Sequence, residues 1–131
     1  MIQASIGPAR VSDGVKDKGA PAMPWLHDFA HFAGGLVLTN AVPHFVSGTM
    51  GRAFQSPFAT PPGEGMSSSR LNVAWGFFNL VIAYLLICRV GDFDLRATED
   101  VVALGLGMLL AGLFLGGRFG RFNGGNTPHG S

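Results

Sequence analysis

Asp, Glu, Lys and Arg are absent from three long stretches of the chain, at 29–51, 71–88 and 101–117. None of these stretches carries a polar face at helical spacing, which a surface helix of a soluble bundle requires. The pattern therefore favours membrane-spanning helices over a soluble helical bundle. About 20 helical residues, each rising 1.5 Å, cross the roughly 30 Å hydrocarbon core of a bilayer. The pattern therefore predicts three transmembrane helices, at about 25–46, 72–88 and 100–117.

The segments outside these stretches are more polar. Residues 1–24 lack the apolar core of a signal peptide and mix charged residues with Gly and Pro, which predicts a flexible tail. A second flexible tail is expected at 119–131, after a membrane domain at 25–118. The loop at 47–70 is long for a helix connection and keeps apolar side chains, so we expect it to lie at the membrane interface. The predicted fold class is an all-α, polytopic integral membrane protein with three transmembrane helices.

Composition supports the membrane interpretation and excludes other classes. Only 13% of the 131 residues are charged, against about 25% in soluble domains, while 47% are apolar. The net charge of +1 provides little attraction for nucleic acid, so no nucleic-acid partner is expected. The single cysteine, Cys88, excludes an intrachain disulfide and a cysteine-based zinc cage.

We expect a protein integral to a membrane, of the bacterial plasma or inner membrane type. The nearly even distribution of Lys and Arg between the two sides leaves its orientation undetermined.

The third predicted helix carries small residues on two faces. One face bears Ala103, Gly107 and Ala111 at four-residue spacing. A second face, about 140° away, bears Gly112 and Gly116 in a GxxxG step. In lipid, helices associate through close backbone approach, which small residues permit. These faces therefore predict a helix-packing interface, either within this chain's own bundle or between chains.

The first two predicted helices carry uncharged polar residues at matching depths. Asn40 and His44 share a face near the end of the first helix, while Asn72 and Asn79 lie near the start of the second. Because helices joined by one loop run antiparallel, the four side chains are expected to meet beneath the 47–70 loop. Buried polar groups in hydrocarbon require partners. The cluster is therefore either an interhelical hydrogen-bond network or a pocket for a ligand, a lipid headgroup or a translocated proton.

Two histidines lie at the opposite end of the first predicted helix. His27 and His31 are four residues apart, so both can point at one metal ion. A third ligand would have to come from the same end of the bundle, where the candidates are Asp28, Cys88, Glu99 and Asp100. Haem ligation is one alternative, and hydrogen bonds to lipid headgroups or to the acidic turn at 94–100 are another. No cofactor is predicted, and a divalent metal or haem at His27 and His31 stays an alternative.

No catalytic constellation can be assembled from the sequence. The serines at 67–69 lie in the loop, no GxSxG motif occurs, and no carboxylate lies at membrane depth. We therefore expect a non-catalytic accessory, assembly or scaffold subunit, whose partners are the lipid bilayer and either itself or other membrane subunits. The alternative is a transporter of a small molecule, ion or proton, or a ligand-binding membrane protein, that uses Asn40, His44 and Asn79.

Overall fold

The computed structural model describes Gly7 and residues 23–127. Its three long helices are α1 (Pro24–Thr49), α2 (Ser69–Tyr84) and α3 (Thr98–Asn123). α2 continues directly into a π-helical segment at Leu85–Val90. The connection between α1 and α2 contains an antiparallel pair of two-residue strands, β1 (Phe54–Gln55) and β2 (Met66–Ser67). The described chain is mostly helical, which confirms the helical class. Nearly all of the tail predicted at 1–24 lies outside the described residues.

Helix ends are determined by local capping and extend beyond the uncharged stretches. α2 begins at Ser69, earlier than predicted, because the Ser68 hydroxyl accepts a hydrogen bond from a backbone amide in the first turn at 3.2 Å. α3 ends where Gly124 adopts the left-handed conformation, with a φ of 80°. The prediction of a flexible tail from 119 onward is therefore wrong for 119–123, which are helical. Residues 128–131 lie outside the described part of the chain.

Within the described residues, the interior of the bundle consists of small and polar residues, while its surface is apolar. The buried hydrophobic residues are all alanines, and the largest fully buried side chains are those of His31, Asn72 and Ser56. By contrast, the side chains of Phe77 and Phe114 are 59% and 68% exposed. In soluble proteins, large apolar residues are mostly inside and polar ones mostly outside. The reversed distribution suits a surface that contacts lipid.

Two helical segments of the described chain are long and apolar enough to cross a membrane, namely Ser69–Val90 and Thr98–Asn123. Most of the apolar part of α3 is exposed on the outside of the bundle. α1 is as long as α3, but it is not one of these two segments, and His31, Asn40 and His44 interrupt its apolar stretch. By length and composition alone, these two helical segments could each span a membrane.

α1 is the central helix of the bundle. It packs against α2 on one side and α3 on the other, while α2 and α3 make few contacts with each other. The contact with α3 depends on two glycines that let the backbones meet. A Cβ atom on Gly35 would overlap the carbonyl oxygen of Leu104, and one on Gly107 would overlap that of Phe32. Such close approach is typical of helix pairs that associate without a hydrophobic driving force.

The connection between α1 and α2 is an ordered cap on one end of the bundle. The strands pair Phe54 with Ser67 and Gln55 with Met66. Ser56 holds the following turn together, because its carbonyl accepts from the Gly63 amide at 2.8 Å and its hydroxyl contacts that of Ser67. Gln55 and Ser56 are buried although they belong to a loop. The loop therefore covers polar groups at this end of the bundle, which we call the bundle mouth.

Candidate functional site

The four polar residues predicted to meet beneath the loop are brought together there, as two hydrogen-bonded pairs. The Asn40 side-chain amide donates to the Asn79 oxygen at 3.2 Å, and His44 Nδ1 lies 2.8 Å from the Asn72 oxygen. His44, Asn72 and Asn79 are all buried. Each pair joins α1 to α2, so both pairs contribute to the register of these helices. We call these four residues the loop-side cluster.

Asn72 connects three parts of the chain. Its amide nitrogen lies 3.2, 3.1 and 3.0 Å from the carbonyl oxygens of Phe54, Ser67 and Ser68, so it donates to the loop. This arrangement assigns the other amide atom as the oxygen, which can only accept. His44 Nδ1 must then carry the proton that binds it, and the lone pair of a neutral His44 ring lies on Nε2. Asn72 thus links α1, α2 and the loop through hydrogen bonds, and its oxygen determines which tautomer His44 adopts.

Aromatic rings surround His44 at the mouth of the bundle. The rings of Phe54, Trp75 and Phe119 meet it edge to face, at centroid distances of 5.5, 6.4 and 6.0 Å. Trp75 Nε1 is buried and has no hydrogen-bond partner among the described residues. An unsatisfied buried donor costs about 1–3 kcal/mol. The site therefore contains a donor without an acceptor.

A cavity of about 230 Å³ lies beside this ring cluster. Its polar lining residues are Asn40, His44, Gln55, Ser56, Trp75 and Arg118. The Arg118 guanidinium reaches over the cavity toward the carbonyl of Gly63 in the loop, at 3.5 Å. The cavity thus places the Arg118 guanidinium and the His44 imidazole next to the buried Trp75 nitrogen, which suits a small molecule that carries acceptor atoms.

The polar lining of this cavity was only partly predictable. Arg118 is the first charged residue after the uncharged stretch of α3, and α3 ends at the same side of the bundle as the loop. That position could have indicated its place at the bundle mouth. Gln55 and Ser56 gave no such signal, because their burial depends on how the loop folds back.

A second polar group lies at the other end of α1. Asp28 and His31 of α1 and Asp100 of α3 place one potential ligand atom each within 4.8 Å of the others. His31 Nδ1 is 3.5 Å from a carboxylate oxygen of Asp100. His27 does not belong to this group, so the structure pairs His31 with carboxylates and not with the histidine predicted beside it. We call Asp28, His31 and Asp100 the amino-end cluster.

The two small-residue faces of α3 have different environments. Gly107 and Ala111 are buried against α1, so this face is used within the chain. Gly112 and Gly116 are exposed; a Cβ atom on Gly112 would have one neighbour, the Thr39 methyl at 3.9 Å, and one on Gly116 would have none within 4 Å. These two glycines line an apolar groove of about 500 Å³ between α1 and α3. The second face is open.

Comparison of the chain with models of protein families, with curated proteins and with solved structures gives no match in any of the three. Function is therefore inferred from the loop-side cluster, the amino-end cluster and the open face of α3.

Proposed function

We propose that this chain is a polytopic protein of a bacterial plasma or inner membrane type, with α1 as its third transmembrane helix. Two observations support α1 as a transmembrane helix. α1 lies between α2 and α3, which are both apolar enough to span, so it shares their depth. Its polar residues His31 and His44 are buried, while Phe29 and Val42 on its surface are more than half exposed. A central helix whose polar groups are covered by its neighbours presents an apolar outer surface to lipid.

Within that membrane, the proposed function is that of a non-catalytic accessory, assembly or scaffold subunit that joins a larger complex through α3. The observation that carries this proposal is the open face at Gly112 and Gly116. A glycine inside a helix is about 1 kcal/mol less favourable than alanine. In lipid, a GxxxG step offsets that loss only when another helix approaches its backbone. No helix of the described chain does so at Gly116.

The groove next to these glycines has the shape and chemistry for a partner helix. Its walls come from two helices and from the loop, and its lining is almost entirely apolar, with Leu38, Val42, Met108 and Leu115 among its residues. Side chains of a helix from a second copy or from another membrane subunit would fill the groove, while its backbone would contact the glycines. The lipid bilayer and other membrane subunits are therefore the proposed partners.

Substituting Gly112 with leucine is expected to dissociate the complex while leaving the chain folded. The leucine would occupy the groove and prevent close approach of a partner helix. Particle mass after mild detergent extraction, measured by size-exclusion chromatography with light scattering, should fall from an oligomer or hetero-complex to a monomer. Gly117→Leu is the matched control, because Gly117 is equally open but lies on another side of α3. A wild-type monomer, or equal loss of mass in both variants, would contradict the proposal.

A second candidate function is binding or transport of a small molecule, ion or proton at the loop-side cluster. It is favoured by the buried Trp75 indole nitrogen without an acceptor, beside a cavity lined by His44 and Arg118. A bound molecule with an acceptor atom would satisfy this donor. Asn40 and Asn79 already bind each other, so in this function they would position the helices and leave His44 and Trp75 to contact the ligand.

Native mass spectrometry of the protein released from its own membrane tests this candidate. We expect a small adduct on the wild-type chain that is reduced about tenfold or more in Trp75→Phe, since that change removes the N–H but keeps the ring. Trp25→Phe is the control, because Trp25 is 65% exposed at the start of α1. An adduct retained in Trp75→Phe, or a wild-type chain without one, would exclude ligand binding through this donor.

A further inference from the structure

His31 is completely buried, with 0% of its surface exposed, yet neither ring nitrogen has a hydrogen-bond partner among the described residues. Leaving a polar atom without a partner in such a place is unfavourable by about 1–3 kcal/mol. The distance of 3.5 Å from Nδ1 to the Asp100 carboxylate is too long for a good hydrogen bond. It leaves Nδ1 directed at the carboxylate with its lone pair or proton unsatisfied. An ion or molecule bound between His31 Nδ1 and the Asp100 carboxylate would give both groups a partner.

Asp28 completes the surroundings of that position. It lies one helical turn before His31 on α1, and its ligand oxygen is within 4.8 Å of those of both His31 and Asp100. Two ligand atoms that each lie about 2.1 Å from one metal ion are separated by about 3–4 Å. Because Asp28 is exposed, its side chain is free to move the remaining distance. The three ligands therefore need only a small adjustment to bind one ion.

We propose that Asp28, His31 and Asp100 form a binding site for one divalent transition-metal ion at the end of the bundle opposite the loop. One imidazole nitrogen and two carboxylate oxygens are a ligand set that suits Zn²⁺, Mn²⁺ or Fe²⁺, whereas all-oxygen sites suit Mg²⁺ and Ca²⁺. Water would complete the coordination on the exposed side of Asp28. The site goes beyond the assembly function, since Gly116 lies sixteen residues along α3 from Asp100, at about 24 Å.

A hydrogen bond already orients one of the ligands. The second oxygen of Asp100 accepts from the Asp94 amide at 2.9 Å, so the first oxygen is directed toward His31. Such outer contacts hold ligand carboxylates in place at metal sites. Metal binding would therefore join the start of α1 to the start of α3 and to the turn at 91–97 that precedes it. It would also reduce the repulsion between the carboxylates of Asp28 and Asp100.

Binding of Co²⁺ to the full chain in detergent tests the site. After treatment with a chelator and its removal, Co²⁺ titration followed by visible absorption should give one bound ion per chain, which Zn²⁺ displaces. Asp28→Asn and Asp100→Asn should each weaken Co²⁺ binding by about tenfold or more. His27→Gln is the matched control, since His27 lies on the same helix outside the amino-end cluster. The Co²⁺ affinity of this variant should equal that of the wild type.

Asp28→Asn keeps the test independent of folding. Asp28 is exposed, so its replacement should leave the helical circular dichroism and the elution volume unchanged even if Asp100→Asn were to destabilise the bundle. Wild-type affinity in a folded Asp28→Asn variant would overturn the proposal. So would equal weakening by His27→Gln, or a wild-type chain that binds no Co²⁺. The Gly112 variant should bind Co²⁺ like the wild type, which separates this site from the assembly proposal.

Discussion

Replacing Asn72 with leucine is expected to lower the free energy of unfolding by about 3–5 kcal/mol. The Asn72 side chain is fully buried and joins His44 to three loop carbonyls. Leucine has a similar size but no polar atoms, so the His44 N–H and the carbonyls of Phe54 and Ser67 would lose this partner at a buried position. Unfolding in mixed micelles with increasing sodium dodecyl sulfate, followed by circular dichroism, measures the change.

Asn79→Leu provides the matched control for this prediction. Asn79 lies two turns further along α2 and is also buried, but among the described residues its side chain binds only the Asn40 amide and the Trp75 carbonyl of its own helix. Interhelical hydrogen bonds of this kind contribute about 0.6 kcal/mol on average in membrane proteins. We therefore expect a loss of about 1 kcal/mol from Asn79→Leu. Equal losses in both variants would contradict the role given to Asn72 as the link between α1, α2 and the loop.

Gly107→Val is expected to destabilise the bundle by about 3 kcal/mol. A Cβ atom at this position overlaps the Phe32 carbonyl, which is backbone and cannot turn aside as a side chain would. α1 and α3 would have to separate, and the reciprocal contact of Gly35 with the Leu104 carbonyl would be lost with it. The same titration with sodium dodecyl sulfate measures the loss, together with the thermal midpoint in detergent.

Gly105→Val separates this packing effect from the general effect of adding a side chain to α3. Gly105 lies two residues before Gly107 on the same helix, and a Cβ atom there has no neighbour within 4 Å. We expect its substitution to change the free energy of unfolding by less than about 0.5 kcal/mol. A Gly107→Val variant as stable as Gly105→Val would show that α1 and α3 do not pack through these glycines.

The uncharged stretches located the helices well but not their ends. Burial in lipid depends on the summed transfer free energy of about 20 residues, which can be read directly from a sequence. Helix ends depend on single local contacts. The Ser68 hydroxyl caps α2, and the left-handed Gly124 ends α3 beyond the apolar stretch. Both residue types are common outside helix ends, so their spacing alone did not mark these boundaries.

The loop-side cluster was predictable as a group but not as a set of pairs. Spacing of four residues places Asn40 and His44 on one face, and antiparallel connection brings the start of α2 to them. Which residue binds which depends on how far each helix is rotated about its axis. The structure pairs His44 with Asn72 and leaves Asn79 for Asn40. The loop carbonyls that bind Asn72 could not be identified, because the loop has no periodic pattern.

The number and position of the apolar segments, and the polar residues within them, can be read from the amino-acid sequence alone, because hydrophobicity is a property of each residue and adds along the chain. Helix packing determines which glycine face of α3 is covered by α1 and which stays open, and it places His31 beside Asp28 and Asp100 and not with His27. These outcomes depend on the rotation and close approach of helices that are distant in sequence. Backbone contacts at Gly35 and Gly107 determine that geometry, and they involve pairs of residues that no local pattern connects.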